Sequence, residues 1–246
     1  MSVSKNKWAT LVDKMGDDLT VVNAARVSFN KNVDYSEDEY KFQPIAMNVQ
    51  ARTKVPKVPQ LRKEDERLVK YLAEHGHWSP FSHCFLQFHI KAPIFVARQL
   101  VKHQVGLAWN EISRRYVDDE PEFYEPEEWR LAAENKKQGS SDETVEYSIE
   151  PAYIHATQCY NNMLGLGIAP EMARMVLPQS LMTEWYWSGS LYAFARVCNL
   201  RCKSDAQKET RLVCEDISNQ IKKLFPVSWK YLTDLPAEEK EVATAS

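Results

Sequence analysis

Residues 98–116 read RQLVKHQVGLAWNEISRRY, and this stretch gathers cationic, carboxylate, hydroxyl and amide side chains in a short space. Pro93, just before it, can open a helix at its first position. In that helix Gln99, Lys102 and His103 would share one face, because residues three and four apart are neighbours on a helix surface. The spacing therefore predicts one polar helical face.

A polar run follows this helix after a break at Gly106. It contains Asn110, Glu111, Ser113 and Arg115 within the segment NEISRRY. Arginine, backbone N–H groups and a hydroxyl are the groups that bind a doubly charged phosphate, and a carboxylate beside them can order a base or a ribose. We expect a phosphate site here; the alternative is an ordinary solvated helix and loop.

The same stretch resembles the signature of flavin-dependent thymidylate synthases, which reads RHR, then about seven residues, then S, inside a longer NE-x-S-x-R-Y. In this chain KHQ occupies 102–104, eight residues follow, and Ser113 precedes Arg115 and Tyr116. NEISRRY thus agrees with the signature, whereas both arginines of RHR are replaced and the spacer is one residue longer.

Further segments resemble that family in the family's own order, over most of the chain. Ordered matches of this kind are very improbable by chance. The segments are DLTVVNAARVSF (18–29), HGHWSPFSH (75–83), KAPIFVARQ (91–99), APEMARMVLPQSLMTEWYW (169–187) and NLR (199–201) with DAQ (205–207).

Composition sets the broad class of the protein. The 246 residues are 44% apolar and 26% charged, with a net charge of −3, so one sizeable core is expected and no overall basic character points to nucleic acid. No apolar run is long enough to span a membrane, and the N-terminus lacks a secretory apolar segment. Five cysteines without a CxxC pair indicate reduced thiols in the cytoplasm.

The strands and helices do not alternate regularly, which predicts an α+β fold. The resemblance implies mixed helices and a small antiparallel sheet, like the fold of thymidylate synthase complementing proteins. We expect a single domain over 1–246, with a loop insertion at 30–60 and a mobile segment at 121–148. Strands are expected near 8–12 and at 84–91, and neither a GxGxxG motif nor a P-loop is present. The expected helices are 18–26, 63–74, 151–164, 171–177, 191–202 and 205–224.

The resemblance implies reductive methylation of dUMP to dTMP, with methylenetetrahydrofolate as carbon donor and NADPH-reduced FAD as hydride source. A flavin route needs no cysteine nucleophile, and none of the five cysteines has the Pro-Cys-His-like context of ordinary thymidylate synthases. By the same resemblance Arg201 of NLR is the catalytic residue, because a guanidinium against the pyrimidine stabilises the developing anion. The alternative for Arg201 is a surface arginine near a helix C-terminus.

The resemblance also implies a dUMP site shared between the subunits of a homotetramer. Ser113, Arg115 and the Arg114 backbone would come from one subunit and Arg174 from another. The full set of expected dUMP residues is Gln99, Lys102, Glu111, Ile112, Ser113, Arg114, Arg115, Arg174 and Arg201.

At several positions where the resemblance implies FAD contacts, this chain has a different residue from the family. Gln104 carries no charge for a pyrophosphate, and Ser190, Tyr192 and Arg196 stand where the family has an N-x-R pair and a later asparagine. The expected FAD residues are Ser28, His77, Ser79, Lys102, His103, Gln104, Glu111, Ser190, Tyr192 and Arg196.

Two other functions remain open at the level of sequence. One is a related enzyme that modifies C5 of a pyrimidine nucleotide, for example by hydroxymethylation; the other is a non-catalytic nucleotide-binding relative that has lost flavin. The replacement of RHR by KHQ favours the second alternative, and the joint presence of Ser113, Arg115, Arg174, Arg201 and His77 opposes it. We expect no metal site, because no cysteine or carboxylate joins the histidines of 75–89 at ligand spacing.

Overall fold

The computed structural model describes residues 8–30, 41–44, 57–116, 119–134 and 139–233. Within these ranges the strands are β1 Ala9–Met15, β2 Phe42–Pro44, β3 Lys57–Pro59, β4 Phe85–Pro93, β5 Leu107–Glu111, β6 Trp129–Ala132, β7 Ser140–Val145 and β8 Met182–Ser190. The helices are α1 Asp18–Arg26, α2 Lys63–Glu74, α3 Ile94–Leu100, α4 Glu150–Gly165, α5 Pro170–Ala173, α6 Leu191–Arg201, α7 Lys208–Leu224 and α8 Pro226–Thr233.

The centre of the fold is a four-stranded sheet in the order β1-β4-β8-β5. Every neighbouring pair in it is antiparallel, so the predicted α+β class with a small antiparallel sheet is confirmed. Leu86, Phe88 and Ile90 of β4 are buried and alternate with less buried residues, as the period of two in the sequence predicts. Two further ladders pair β2 with β3 and β6 with β7.

Aromatic side chains hold the helices onto the sheet. Phe88 of β4 and Trp187 of β8 are register partners, and both rings contact Phe194 of α6 edge to face, at centroid distances of 5.3 and 5.4 Å. All three side chains are fully buried. Burial of such large apolar groups is the main favourable contribution to folding, at about 25 cal/mol per Å². These contacts fix α6, and with it Arg201 at its C-terminal end.

The two ends of the described chain are joined by a buried carboxylate. Asp18 of α1 accepts hydrogen bonds from the backbone N–H groups of Val227 and Ser228, both at 2.9 Å, in the first turn of α8. Burial raises the pKa of Asp18 to about 6, outweighing these hydrogen bonds. The N-cap of α1 is Asp17, whose side chain accepts from the Thr20 backbone N–H at 3.0 Å.

Several sequence-based boundaries are confirmed and others are corrected. Helices α2, α4 and α6 lie within one residue of their expected ranges, and α7 begins at Lys208 instead of 205. Helix α3 ends at Leu100, so Lys102 and His103 lie in the following turn and do not extend its face. The elements that the sequence did not predict are strands β2, β3, β5, β6, β7 and β8 and helix α8.

The expected insertion at 30–60 lies mostly outside the described residues. Of the expected mobile segment at 121–148, the described part contains the β6–β7 ladder, and its mobility stays a prediction. Among the helices that the structure describes, none combines the length and apolarity that crossing a bilayer requires.

Candidate functional site

Arg201 and His103 meet at the end of α6. The guanidinium Nε–H of Arg201 donates to Nε2 of His103 at 3.0 Å, although 98 residues separate them. Nε2 can accept only when the imidazole is neutral and its proton is on Nδ1. Burial, followed by the charges of Arg201 and Arg196, lowers the pKa of His103 and favours that neutral form.

An open cavity of about 560 Å³ lies beside this pair. Its volume is in the range of small-molecule sites. Three cations and, among the described residues, no carboxylate line it, although one of the three, Arg130, pairs with the Glu209 carboxylate at 2.7 Å. The cavity therefore suits an anionic ligand. The lining residues are Gln99, Arg130, Gly139, Ser140, Arg201, Gln207 and Lys208.

Sequence reasoning found part of this lining. Gln99 and Arg201 were expected, and Gln207 belongs to the DAQ segment that carries the resemblance. Arg130 and Ser140 were missed because β6 and β7 read as a polar, turn-rich stretch, and no motif singles out Lys208.

A second, smaller cavity of about 210 Å³ contains other expected residues. Glu111, Ile112 and Arg114 line it together with Arg174 of the same chain. The resemblance implies Arg174 from a different subunit than Ser113 and Arg115; the structure groups Arg174 with Glu111 within one chain. The two cavities share no lining residue among those described.

The Glu111 carboxylate is oriented by one donor on each oxygen. The hydroxyl of Thr183 donates to Oε1 at 2.7 Å, and the indole Nε1–H of Trp109 donates to Oε2 at 3.1 Å. Thr183 lies on β8 and Trp109 on β5, so the pairing of these strands sets the direction of the carboxylate. Neither Thr183 nor Trp109 was singled out from the sequence.

The arginines of NEISRRY differ in what they contact. Arg115 donates through Nε to the Ser113 hydroxyl at 3.0 Å, so these two expected phosphate ligands already lie together. The guanidinium of Arg114 instead donates to the backbone carbonyl of Asp119 at 2.5 Å. The backbone N–H of Arg114 is then the group of this residue that is expected to bind phosphate. Arg174 is exposed and donates through Nε to the Glu171 carbonyl at 3.1 Å.

The expected FAD residues are spread over several elements of the fold. They are His77 and Ser79 in the turn before β4, Ser190, Tyr192 and Arg196 at or in α6, Ser28 in the 3-10 turn after α1, Lys102, His103 and Gln104 after α3, and Glu111 on β5 beside the second cavity. Ser79 begins a short 3-10 turn at Ser79–His83 that packs against α1 and α6. Next to it, the ring of Trp78 lies 6.3 Å from that of Tyr192, and Trp78 is more than half exposed. Exposed side chains in this set also include Ser28, His77, Lys102, Gln104 and Arg196.

Ser190 has a different position from the other expected FAD residues. It is buried, and its hydroxyl accepts from the backbone N–H of Ala193 at 3.2 Å as the N-cap of α6. In this arrangement the Ser190 hydroxyl is engaged in capping α6. Among the described residues no group of three metal-ligating side chains is close enough to hold a metal ion.

Comparisons with known proteins identify the family. The family model described as "Thymidylate synthase complementing protein" matches residues 10–227. The chain is 38% identical over 226 residues to a flavin-dependent thymidylate synthase of Thermus thermophilus, covering 90% of this chain and 74% of that protein. It is 37% identical to the flavin-dependent thymidylate synthase of Thermosipho africanus, covering 88% of this chain and 86% of the relative.

A solved structure is similar as well. The UMP/dUMP methylase PolB from Streptomyces cacaoi, bound with 5-Br dUMP, superposes with a TM-score of 0.69 at 30% identity, covering 92% of this chain and 94% of PolB. The chain therefore belongs to the thymidylate synthase complementing protein family, and the resemblance found in the sequence is confirmed.

Proposed function

We propose that the protein is a flavin-dependent thymidylate synthase, which methylates dUMP to dTMP with methylenetetrahydrofolate as carbon donor and NADPH-reduced FAD as hydride source. The observation that carries the proposal is Arg201, held by His103 at the edge of the 560 Å³ cavity, within a chain of this family. The names of the relatives support both the reaction and the need for flavin.

Arg201 would act on the pyrimidine ring. Of its N–H groups only Nε–H donates to a residue in the described ranges, so the two terminal nitrogens are available to a ligand. The guanidinium would favour the ring ionised at N3 by several kcal/mol, because the negative charge of that form is spread over N3 and O4, and this form makes C5 a better nucleophile toward the one-carbon donor. His103 keeps the guanidinium plane in one orientation, which reduces reorganisation during the reaction.

Phosphate binding would fall to the residues of the NEISRRY segment. Ser113 and Arg115 already share a hydrogen bond, and a phosphate could accept from the hydroxyl, the guanidinium and the Arg114 backbone N–H at once. Glu111, fixed by Thr183 and Trp109, would accept from a ribose hydroxyl. We assign Arg174 to the same phosphate.

The residues present fit a flavin. An aromatic pair at the surface, exposed Trp78 and half-buried Tyr192, offers apolar area for a flat ring system, and the exposed cations Lys102 and Arg196 offer charge for a pyrophosphate. Ser28, His77, Ser79, His103 and Gln104 would complete the site with hydrogen bonds. When bound, reduced flavin supplies the hydride that converts the transferred one-carbon unit into a methyl group.

The grouping of residues also supports active sites shared between subunits. One chain brings Gln99 and Arg201 to the first cavity and Glu111, Arg114 and Arg174 to the second. A neighbouring copy that sets the first cavity of one subunit against the second cavity of another would unite both halves. We expect a homotetramer on this basis and from the resemblance.

The deciding experiment is an absorption spectrum of the purified protein after incubation with FAD and desalting, with and without dUMP. Retained flavin bands that shift on addition of dUMP support the proposal, and formation of dTMP with methylenetetrahydrofolate and NADPH completes the test. Absence of retained flavin in both samples would favour the non-catalytic nucleotide-binding alternative.

A second candidate is methylation of UMP in addition to dUMP, or another modification at C5. The similarity to PolB favours it, because PolB is a UMP/dUMP methylase and is 30% identical to this chain. Supplying UMP and dUMP side by side, and weighing the products by mass spectrometry, separates methylation of either nucleotide from hydroxymethylation.

A further inference from the structure

A continuous chain of hydrogen bonds joins β6 to Gln99 along the wall of the larger cavity. Arg130 of β6 donates to Glu209 Oε1 at 2.7 Å, and the side-chain amide of Gln207 donates to Glu209 Oε2 at 3.1 Å. The Gln99 amide donates in turn to Gln207 Oε1, and the Thr210 hydroxyl donates to Gln99 Oε1 at 3.1 Å. Together these four hydrogen bonds fix the orientation of the Gln99 side-chain amide at the cavity wall.

The direction of every bond in this chain follows from the charge on Glu209. An ionised carboxylate can only accept, so the Gln207 amide must turn its NH₂ group toward Glu209 and its oxygen toward Gln99. Gln99 must then turn its own NH₂ group toward Gln207. A neutral acid could donate instead, and both amides could then rotate.

Arg130 is the group that keeps Glu209 ionised. Glu209 is nearly fully buried, and burial by itself would raise the pKa of Glu209. The hydrogen bond and charge of Arg130, with smaller help from the backbone and Gln207, reverse this, and the pKa of Glu209 ends below its ordinary value. Ser140 steadies Arg130 by accepting from its Nε–H at 2.6 Å.

We propose that Arg130 is a positioning residue for nucleotide binding: acting through Glu209 and Gln207, it directs the remaining N–H of Gln99 into the cavity that contains Arg201. This inference rests on the proposed function, in which Gln99 and Arg201 bind dUMP. The free N–H of Gln99 meets an oxygen acceptor of dUMP. A rotated amide would present its own oxygen to that acceptor and repel it.

The test uses the flavin-loaded full-length protein and isothermal calorimetry with dUMP between pH 5 and pH 8. Arg130→Gln is compared with Arg211→Gln, a matched change in an arginine that pairs with Glu215 on α7, outside the cavity lining. We expect Arg130→Gln to weaken dUMP binding by about tenfold at pH 7, the size of one misdirected hydrogen bond. Arg211→Gln should stay within about twofold of wild type.

A pH profile distinguishes positioning from a merely structural effect. With Arg130 removed, Glu209 should take up a proton within the measured range, so the ratio of the wild-type affinity for dUMP to that of Arg130→Gln should change with pH. Protonation of the dUMP phosphate, whose second pKa is about 6, and of His103 affects both proteins and cancels in this ratio. Adding Glu209→Gln should abolish this new dependence. An affinity of Arg130→Gln equal to wild type at every pH overturns the proposal.

A double-mutant cycle adds a second criterion that does not depend on Arg130→Gln folding well. Arg130→Lys keeps a cation near Glu209 and should lose less affinity than Arg130→Gln. Either Arg130 variant should add little to the defect of Gln99→Ala, because both changes act on the same hydrogen bond. Fully additive effects overturn the proposal. If wild-type protein fails to bind dUMP at all, the proposed function itself is wrong.

Discussion

Arg201 and His103 depend on one another, because the guanidinium donates to a ring nitrogen that accepts only while the imidazole is neutral. The resemblance points to both residues separately, one for the pyrimidine and one for the flavin. The structure adds a contact between them, so two functions assigned to different ligands share one hydrogen bond.

Substitution Arg201→Ala should reduce kcat by about a hundredfold or more, since it removes charge stabilisation that operates in the transition state. Folding should be little affected, because Arg201 is only partly buried and lies at the end of α6. Steady-state kinetics and thermal melting measure the two effects, with Arg211→Ala as the control. Near-normal turnover would contradict the assigned role.

Activity should also fall on the acid side through a single protonation of His103. The pKa of His103 lies below the ordinary value of 6.5, so the imidazole is neutral at pH 7, and the loss begins only at lower pH. Protonation then removes the acceptor for Arg201 and places two cations in contact. A kcat/KM profile measures this step, which His103→Gln should remove, since its side-chain oxygen accepts without titrating.

His75→Gln is the matched control for that profile. His75 is exposed and stacks on Tyr71 at 4.0 Å. The acid step should persist in this variant. Its disappearance there, or its persistence in His103→Gln, would show that another group controls the profile.

The sequence predicts individual site residues more successfully than it predicts the contacts between them. Arg201 and Gln99 stand in segments with family spacing, so the resemblance finds them. Arg130 and Glu209 do not, because their importance comes from an ion pair between residues that the fold brings together across 79 positions. No pattern along the chain encodes such a partner.

At the scale of elements, the pairing of β5 with β8 decides where the NEISRRY segment lies. Gly189 is the partner of Leu107 in this register. A Cβ atom on Gly189 would lie 2.5 Å from the Leu107 side chain and 2.6 Å from the Gly106 carbonyl oxygen. Only glycine allows the two strands to approach this closely.

Gly189→Ala should therefore lower the free energy of unfolding by about 1–3 kcal/mol, the usual cost of overpacking. Activity should fall as well, since β5 carries Glu111. The control is Gly165→Ala at the end of α4, where an added Cβ meets nothing within 4 Å. That change should be neutral or stabilise by up to about 1 kcal/mol. Chemical denaturation measures both, and equal effects would refute the close-approach argument.

The buried carboxylate of Asp18, which accepts hydrogen bonds from the first turn of α8, should make the free energy of unfolding depend on pH. The pKa of Asp18 is about 6 in the folded chain against 3.8 as the ordinary value, so the folded state holds its proton more tightly. Its contribution is fully favourable below pH 3.8 and is lost as pH rises to about 6, a change of about 3 kcal/mol.

The free energy of unfolding of Asp18→Asn should lack this dependence on pH. Between pH 4 and pH 7 it should therefore rise relative to the free energy of unfolding of the wild type. Urea denaturation across that range measures the difference. Asp13→Asn, which alters an exposed carboxylate on β1, should leave the slope in place. A constant difference between Asp18→Asn and wild type would contradict the raised pKa.

The elements that the sequence predicts are those with a clear period. Helices α2 and α7 repeat apolar residues every three or four positions, and β4 alternates strictly. Strand β8 was missed because its WYW run at 185–187 is apolar on both faces, although Trp185 and Trp187 are indeed core residues. Helix α3 ends at Leu100, six residues before Gly106, so the break that the sequence shows at Gly106 does not mark the end of the helix.

At the scale of the whole molecule, the expected dUMP residues are divided between two separate cavities of one chain. The larger holds Arg201 and the smaller holds Arg174, with no described lining residue in common. The proposed sharing of sites between the subunits of a homotetramer would resolve this separation. Light scattering should then give a mass of about four times the 28.5 kDa of one chain.

Subunit complementation tests the sharing directly. Arg201→Ala and Arg174→Ala should each be nearly inactive alone, yet their co-expression should restore part of the activity, because some sites would receive both intact arginines from different chains. Two differently tagged copies that both carry Arg201→Ala serve as the control and should restore nothing. Failure of the mixed pair, with a tetramer formed, would place both arginines of a site on one chain.

The tryptophans of the sheet edge have an optical consequence. Trp109 of β5 stacks on Trp185 of β8 at 4.4 Å with an interplanar angle of 20°, and Trp187 meets Trp109 edge to face at 5.6 Å. Indole transitions this close couple to each other and produce a strong near-ultraviolet circular dichroism signal that vanishes when the rings part. Strand β5, whose last two residues begin the NEISRRY segment, thus carries an intrinsic spectroscopic probe of its pairing with β8, with no added label.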